Sequence, residues 1–302
     1  MRRGRSVHVA SHPALRTDWR SRPLLLIVFC GLAMLGMIVA GAGLLLLQFR
    51  EHTLVDREHE IQKLALTLAE QADRSFQAME VVQKSVINRM QTLGIATSGQ
   101  FEQRMSTYNT HLMLKDIISG LPHVGAVMMI SAQGKLINSS KGWPAPNLDV
   151  TDQDYFKTLK SIGEMVFFFS EPARNGDTGA WSVNVVRKFS GPNGEFLGLV
   201  LGAIDLRYFE EFYQKVALGN QGTISLIRRD GMLLARYPHN ETMIGASVAS
   251  LPAFAEIVAK ANNGAVRARS EIDGQDRLYT AHALANYPIV VTVSTPVFWL
   301  PE

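Results

Sequence analysis

The sequence predicts an α/β chain of the α+β kind: an N-terminal transmembrane helix, a long stalk helix, and two repeated modules built on antiparallel sheets. Three observations carry this. Residues 24–47 hold no charge for 24 positions. Residues 51–95 contain no proline, and no glycine before Gly94. Beyond them, the order hairpin, short helix, three strands occurs twice.

The uncharged run is long enough to span a bilayer core, which takes roughly 20 helical residues. Arg2, Arg3, Arg5, Arg16, Arg20 and Arg22 surround it on the N-terminal side against one acid, Asp18. Positive flanks stay cytoplasmic, so the chain after Arg50 is expected outside. A cleaved signal peptide is the competing reading, with Ala40-Gly41-Ala42 as its cleavage site. The run continues through Leu44–Leu47, longer than the apolar core of such peptides.

About 250 residues follow, one large or two small domains. A charged fraction of 19% and an aromatic fraction of 8% fit a folded protein. The net charge of +3 is more than supplied by the N-terminal arginines, which argues against a nucleic-acid partner. Cys30 is the only cysteine, so the external region forms no internal disulfide and no cysteine-based zinc site.

In the long helix, apolar residues fall at Leu54, Ile61, Leu64, Leu68, Met79, Val82, Val86, Met90 and Leu93, at mostly helical spacings. The stripe breaks near Gln71–Ser75. Two compatible readings stand: packing on the chain's own domain, or a dimer seam. A second helix is expected at 101–118, stopped by Ser119-Gly120-Leu121-Pro122.

From residue 123 the period becomes that of strands. Val124–Ser131 and Lys135–Ser139 flank Ala-Gln-Gly, a hairpin signal. A short helix follows at Asp154–Ser161. Strands are expected at Met165–Ser170, Trp181–Phe189 and Phe196–Leu206, and a helix at Tyr208–Leu218. The order then repeats: a hairpin from Thr223–Arg228 and Met232–Tyr237, a helix at Pro252–Ala261, and strands at Val266–Glu271, Arg277–Leu284 and Ile289–Thr295. The spacing from Ile130 to Gly134 equals that from Ile227 to Gly231, which points to duplication. Ala283–Leu300 is uncharged, but Pro288, Pro296 and its hydroxyl residues make it a core strand and turn rather than a second span.

Several segments, in this order, resemble the double Cache sensor, the PAS-like extracytoplasmic input domain of bacterial diguanylate cyclases, chemoreceptors and histidine kinases. They are Leu121-Pro-His-Val-Gly-Ala-Val, Leu148-Asp-Val-Thr-Asp-Gln-Asp-Tyr-Phe156, Gly198-Leu-Val-Leu-Gly-Ala-Ile-Asp-Leu206, and Arg229-Asp-Gly-Met-Leu-Leu-Ala-Arg236 with Ile244-Gly245. The likeness covers about residues 50–298 and lies nearest to sensors that precede a cyclase domain. With the uncharged run, the chain then divides into an arm (1–23), a membrane span (24–48), two helices (49–120), two modules and a short tail (299–302), and the likeness makes 121–219 the membrane-distal and 220–298 the membrane-proximal module.

The resemblance places a small polar ligand in the distal module. Its implied pocket uses Asp152, Gln153 and Tyr155 with Phe156, Trp181 and Asn184 on a facing strand, Arg187 on the same strand, and Asp205. In amino-acid-sensing relatives an aspartate at the place of Asp205 binds the ligand's amino group. Where they carry an arginine for the carboxylate, this chain has Gln153, and a neutral amide gives no charge-assisted grip. No ligand is therefore named. Plainer readings stand beside these. Asp152 and Asp154 suit a helix start, Tyr155 and Phe156 suit a core, Asp205 suits a cap for the next helix, and Arg187 faces either pocket or water.

No catalytic motif is present. The hydrolase elbow, P-loop, dinucleotide fingerprint and cyclase Gly-Gly-Asp/Glu-Glu-Phe signature are all missing. His8 and His12 are four apart but followed by Pro13, and His52 and His59 lack further ligands. The expectation is a non-enzymatic, cofactor-free sensor in the bacterial inner membrane, single-pass, with its output supplied elsewhere. Its partners would be a small molecule, the membrane, and a second copy or full-length receptor joined through the 51–95 helix. A ligand-free envelope scaffold is the alternative, and a periplasmic hydrolase a remote third.

Overall fold

The computed structural model describes residues 21–163, 167–176, 178–216, 221–262 and 264–297, apart from the side chains of 21–28, 44–56, 252 and 253. The chain divides into two units, Met1–Asp56 and Arg57–Glu302.

In the first unit, helix α1 begins; it is assigned over Ser21–Thr92. Of the uncharged run, side chains are described for 29–43. Phe29, Leu32, Leu35 and Ile38 among them are exposed. No helix among the described residues is long and apolar enough to cross a membrane. The side chains at both ends of the predicted span, most of the predicted arm and the tail lie outside what is described.

In the second unit, the apolar stripe of α1 is consumed by the chain's own core. Ile61, Leu68, Met79, Val82, Val86 and Met90 are buried, as the packing reading expects, while Leu93 is exposed. The break in the stripe at Gln71–Ser75 is a polar grip rather than a solvent face. Gln71 donates to the Tyr208 hydroxyl at 3.3 Å, and buried Asp73 accepts from the backbone N–H and side-chain amide of Asn286 at 3.1 and 2.8 Å. The helix ends on Gly94 at φ +69. Ile95 N–H bonds Met90 O and Gly94 N–H bonds Gln91 O, the paired closure that a left-handed residue after a helix permits.

The single helix expected at 101–118 is two: α2, Ser98–Met105, and α3, Tyr108–Ile117. Thr107 divides them. Its hydroxyl accepts from Thr110 N–H at 3.3 Å, a cap that starts a new helix. Asn138 donates at 2.6 Å to the carbonyl of Met105, freed at the end of α2, and at 3.0 Å to that of Thr107, which also accepts from His111 N–H, so the break does not leave Met105 unsatisfied.

The first module carries β1 (Val124–Ser131), β2 (Leu136–Ser139), α4 (Asp154–Ser161), β3 (Phe167–Phe169), β4 (Ala173–Arg174), β5 (Trp181–Ser190) and β6 (Phe196–Asp205), followed by α5 (Arg207–Val216). The second carries β7 (Thr223–Arg228), β8 (Leu233–Tyr237), α6 (Pro252–Ala259), β9 (Ala265–Arg269), β10 (Asp276–Ala283) and β11 (Ile289–Pro296). The sheets run β2-β1-β6-β5-β3, with β4 also on β5, and β8-β7-β11-β10-β9. Every pairing is antiparallel. In both, the last strand lies beside the first.

The repeat extends to single contacts. Gly134 and Gly231 both close a hairpin at positive φ, +85 and +94. A Cβ on Gly134 would meet Thr151, and one on Gly231 would meet Ala249. Val150 N–H bonds Gly134 O and Val248 N–H bonds Gly231 O, both at 2.8 Å. Each glycine thus lets a returning loop lie against the hairpin, where a side chain would collide.

Alternation splits each sheet into two faces. Val127, Met129, Val185 and Val200 of the first, and Leu226, Val291 and Val293 of the second, join α1 in one core. Buried Gln83 reaches from α1 to Val185 O and Val200 O at 2.7 and 3.0 Å. Both modules therefore rest on the same helix, and their opposite faces remain for other uses.

Candidate ligand-binding site

The far face of the second sheet is not filled. A cavity of about 660 Å³ lies between it, the loop after β8, α6 and the β9–β10 turn. This is within the roughly 300–1,000 Å³ range of small-molecule sites. One wall is apolar, with Leu233, Met243, Val248, Leu251 and Phe254. The sheet floor is polar because hydroxyl residues alternate with apolar ones. Thr223 and Ser225 on β7, and Thr292 on β11, face the cavity, whereas Ile224, Leu226, Val291 and Val293 face α1.

Three arginines line the cavity: Arg269 is exposed and donates to Gly274 O at 3.1 Å, while Arg277 and Arg236 enter the floor and differ in their pairing. Arg277 is buried and fully engaged. It donates to Asp273 at 3.0 and 2.5 Å, to Gln221 O at 3.0 Å and to Ser294 Oγ at 3.3 Å. Partial burial works to raise the Asp273 carboxyl, but bonds from Arg277, Ser270 and Gln275 outweigh it and bring the group to about 2. Arg236 has a single side-chain bond, to Ser225 Oγ at 3.2 Å. Among the described residues no carboxylate pairs with it. Burial, and then the positive charge of Arg277, hold Arg236 below the usual arginine value.

The sequence-predicted site residues are only partly brought together. The far face of the first sheet is packed by α4: Tyr155, Phe156 and Leu159 lie against Ile130, Val186, Leu199 and Leu201. Burial pushes the Tyr155 hydroxyl up to about 12. Half-buried Asn184 and Asp205 share that face, opposite Ala203 and Ser182 in the strand register. Asp205 accepts from Arg207 N–H at 2.9 Å and from its guanidinium at 3.3 Å, the turn role at the start of α5. Asp152 and Gln153 are exposed before α4, with Lys157 3.8 Å from Asp152.

Two predicted residues point elsewhere. Arg187 lies on the α1 face, 3.1 Å from Glu80, facing neither pocket nor water. Trp181 turns toward the second module and donates to Glu241 at 2.8 Å. The second-module cavity was missed although a signal existed. Thr223, Ser225, Thr292 and Ser294 put hydroxyls at every second position of otherwise apolar strands, which marks a floor of mixed polarity.

Around Trp181 sits a polar node joining the modules. His239 bonds Glu210 of α5 at 2.8 Å and Glu241 at 3.0 Å. Arg174 pairs with Glu241 and lies over the Trp181 ring at 5.0 Å. The bond to Glu210, then that to Glu241, raise His239 above its ordinary 6.5. Its protonated form stabilises the fold fully below about 6.5, and this contribution is lost as pH rises through the raised folded value. The melting-point difference between wild type and His239→Gln is therefore expected to shrink as pH climbs from 6 to 9. A difference that stays constant over this window would exclude the linkage.

Among the described residues no group of three His, Cys, Asp or Glu side chains is placed to hold a metal ion.

Residues 206–294 match the dCache_1-like family of histidine kinase sensor domains. The extracellular domain of the putative histidine kinase rpHK1S-Z16 is 28% identical over 81% of this chain and 96% of that one, with a TM-score of 0.68. The periplasmic sensory domain of the Campylobacter jejuni chemoreceptor Tlp1 is 13% identical, covers 80% and 96%, and has a TM-score of 0.59. The ligand-binding domain of the Pseudomonas aeruginosa PAO1 amino-acid chemoreceptor PctC, solved with GABA, is 13% identical over 79% and 99%, at 0.57. No curated protein matches the chain.

Proposed function

We propose that this chain, whose two modules form a double Cache sensor domain of the histidine-kinase or chemoreceptor kind, is a membrane-anchored extracytoplasmic receptor for a small molecule. The observation that carries the reading is the cavity of about 660 Å³ on the free face of the second sheet. The other face of that sheet packs on α1, so a change in sheet curvature reaches the helix directly. A ligand shifts such an equilibrium only by its difference in affinity between two states. The exposed apolar side chains within 29–43 and the arginines around the run support membrane anchoring.

We assign these residues no catalytic step. Pairing through the 51–95 helix would have to use the side carrying exposed Leu66 and Val81, because the main stripe is spent internally. The full chain in detergent should be melted against amino acids, carboxylates, amines and purines. A ligand at about a hundred times its Kd adds about 2.7 kcal/mol, and a raised midpoint with at least one class is the expected result. No shift with any class overturns the receptor reading.

A further inference from the structure

We propose that the second-module cavity takes a monocarboxylate with an apolar body, its carboxylate gripped by Arg236. This deepens the receptor reading and rests on it for the biological role alone. Three observations carry the assignment. Arg236 brings a guanidinium to the cavity wall and spends one bond on Ser225 Oγ. Its neighbour Arg277 is saturated by Asp273, Gln221 and Ser294, and Arg269, which also lines the cavity, is exposed and donates to Gly274 O, so Arg236 is the half-buried guanidinium of the floor that, among the described residues, has no carboxylate partner. The opposite wall is apolar.

A buried charge without a partner is costly, and a planar fork of N–H donors fits a carboxylate in bidentate fashion. Ser225 and the hydroxyls of Tyr279 and Thr292, which also line the cavity, give further donors to the same oxygens. The cavity does contain acids, Glu256 and Glu271. Both are exposed, and Glu256 lies 3.4 Å from Lys260 on the outer side of α6. Among the described residues that line the cavity, no buried carboxylate stands beside the apolar wall to receive an ammonium group. That favours a carboxylate carrying an apolar body over an α-amino acid.

The test uses the full chain in detergent with acetate, butyrate, hexanoate and benzoate, each beside its amide and its amine, read by melting and by calorimetry. At least one carboxylate should raise the midpoint while its amide and amine do not. Arg236→Gln should weaken that carboxylate at least about tenfold, which is about 1.4 kcal/mol, and should melt no lower than wild type without ligand. Arg236→Lys, which keeps charge but loses the fork, should fall between. Ser225→Ala serves as the second variant should Arg236→Gln fail to fold. Binding of amides as tight as of acids, or carboxylate affinity unchanged in both variants, overturns the inference. Loss of binding in Asp205→Ala with retention in Arg236→Gln also overturns it, by putting the ligand on the first module. If none of the four carboxylates binds but a purine, amine or amino acid does, the inference fails and the receptor reading stands; if nothing binds, both fail.

Discussion

Replacing Phe76 by alanine is expected to lower the unfolding free energy by about 3–5 kcal/mol, the largest effect of any single change considered for this chain. Phe76 is wholly buried on α1. Its ring lies 5.4 Å from Phe169 of β3, 5.6 Å from Phe209 of α5 and 5.3 Å from Tyr287 before β11. Three segments, two from the first module with its following helix and one from the second, thus meet on one side chain. Truncation removes the transfer energy of the ring and opens a space that three rigid aromatics cannot close by rotation. Ring contacts of this kind add about 0.5–1.5 kcal/mol each beyond area alone. Against a typical total of about 5–15 kcal/mol, the variant should melt on the order of 10 °C lower. Phe76→Leu should recover part of the loss. Urea unfolding of the full-length chain reads both; a loss under about 1 kcal/mol for alanine would mean that the helix is not the shared core of the two modules.

The strands were legible because their signals are local. Val124–Ser131 and Thr223–Arg228 are short apolar runs followed by glycine turns, and the structure forms strands at those residues. The Asp154–Ser161 helix likewise has its acid at one end and its apolar face within a single turn spacing. What was not legible depends on partners distant in sequence. The break at Thr107 needs Asn138 to cover the Met105 carbonyl it frees. The polar gap in the α1 stripe needs Tyr208 and Asn286 to become a contact. Along β5 the alternation is plain, but it does not say which face meets α1. Trp181 and Arg187 share a parity with Val183 and Val185, and those valines belong to the helix core. A family likeness assigned the pair to a pocket, whereas Glu241 and Glu80, far away in the chain, hold them elsewhere. Arg236 was quoted in the sequence only as the end of a strand motif. Its interest arises from Arg277, 41 positions later, already having its own carboxylate, and no local pattern carries that information.

Glu80→Ala is expected to cost about 2–3 kcal/mol, somewhat below the roughly 3–5 kcal/mol for breaking a fully buried ion pair, because the Glu80 side chain keeps 28% of its exposure. One oxygen of Glu80 lies 3.1 Å from the Arg187 guanidinium and 2.7 Å from Lys84. The other accepts from the Tyr287 hydroxyl at 3.1 Å. Arg187 is itself buried, its Nε has no hydrogen-bond partner, and its remaining support is the Phe167 ring at 5.8 Å. Removing the carboxylate therefore strands a charge between helix and sheet, which is the source of the cost. Lys84, then Tyr287 and Arg187, outweigh burial and hold the Glu80 carboxyl below its ordinary 4.5. Its contribution is then present above about 4.5 and fades as pH falls through the lowered folded value. The double variant Glu80→Ala with Arg187→Met removes the stranded charge and should regain at least about 1 kcal/mol over Glu80→Ala alone. Additive losses in that cycle would deny the pairing. A recovered double variant has the further use of separating support from relay. Glu80 is the point on α1 where β5 of the first module and Tyr287 of the second are tied by charge and hydrogen bond rather than by packing. If the sheets signal through that tie, ligand-induced protection of α1 amides in hydrogen exchange will be smaller in the double variant although its stability is close to wild type. If packing around Phe76 alone carries the coupling, protection will be unchanged.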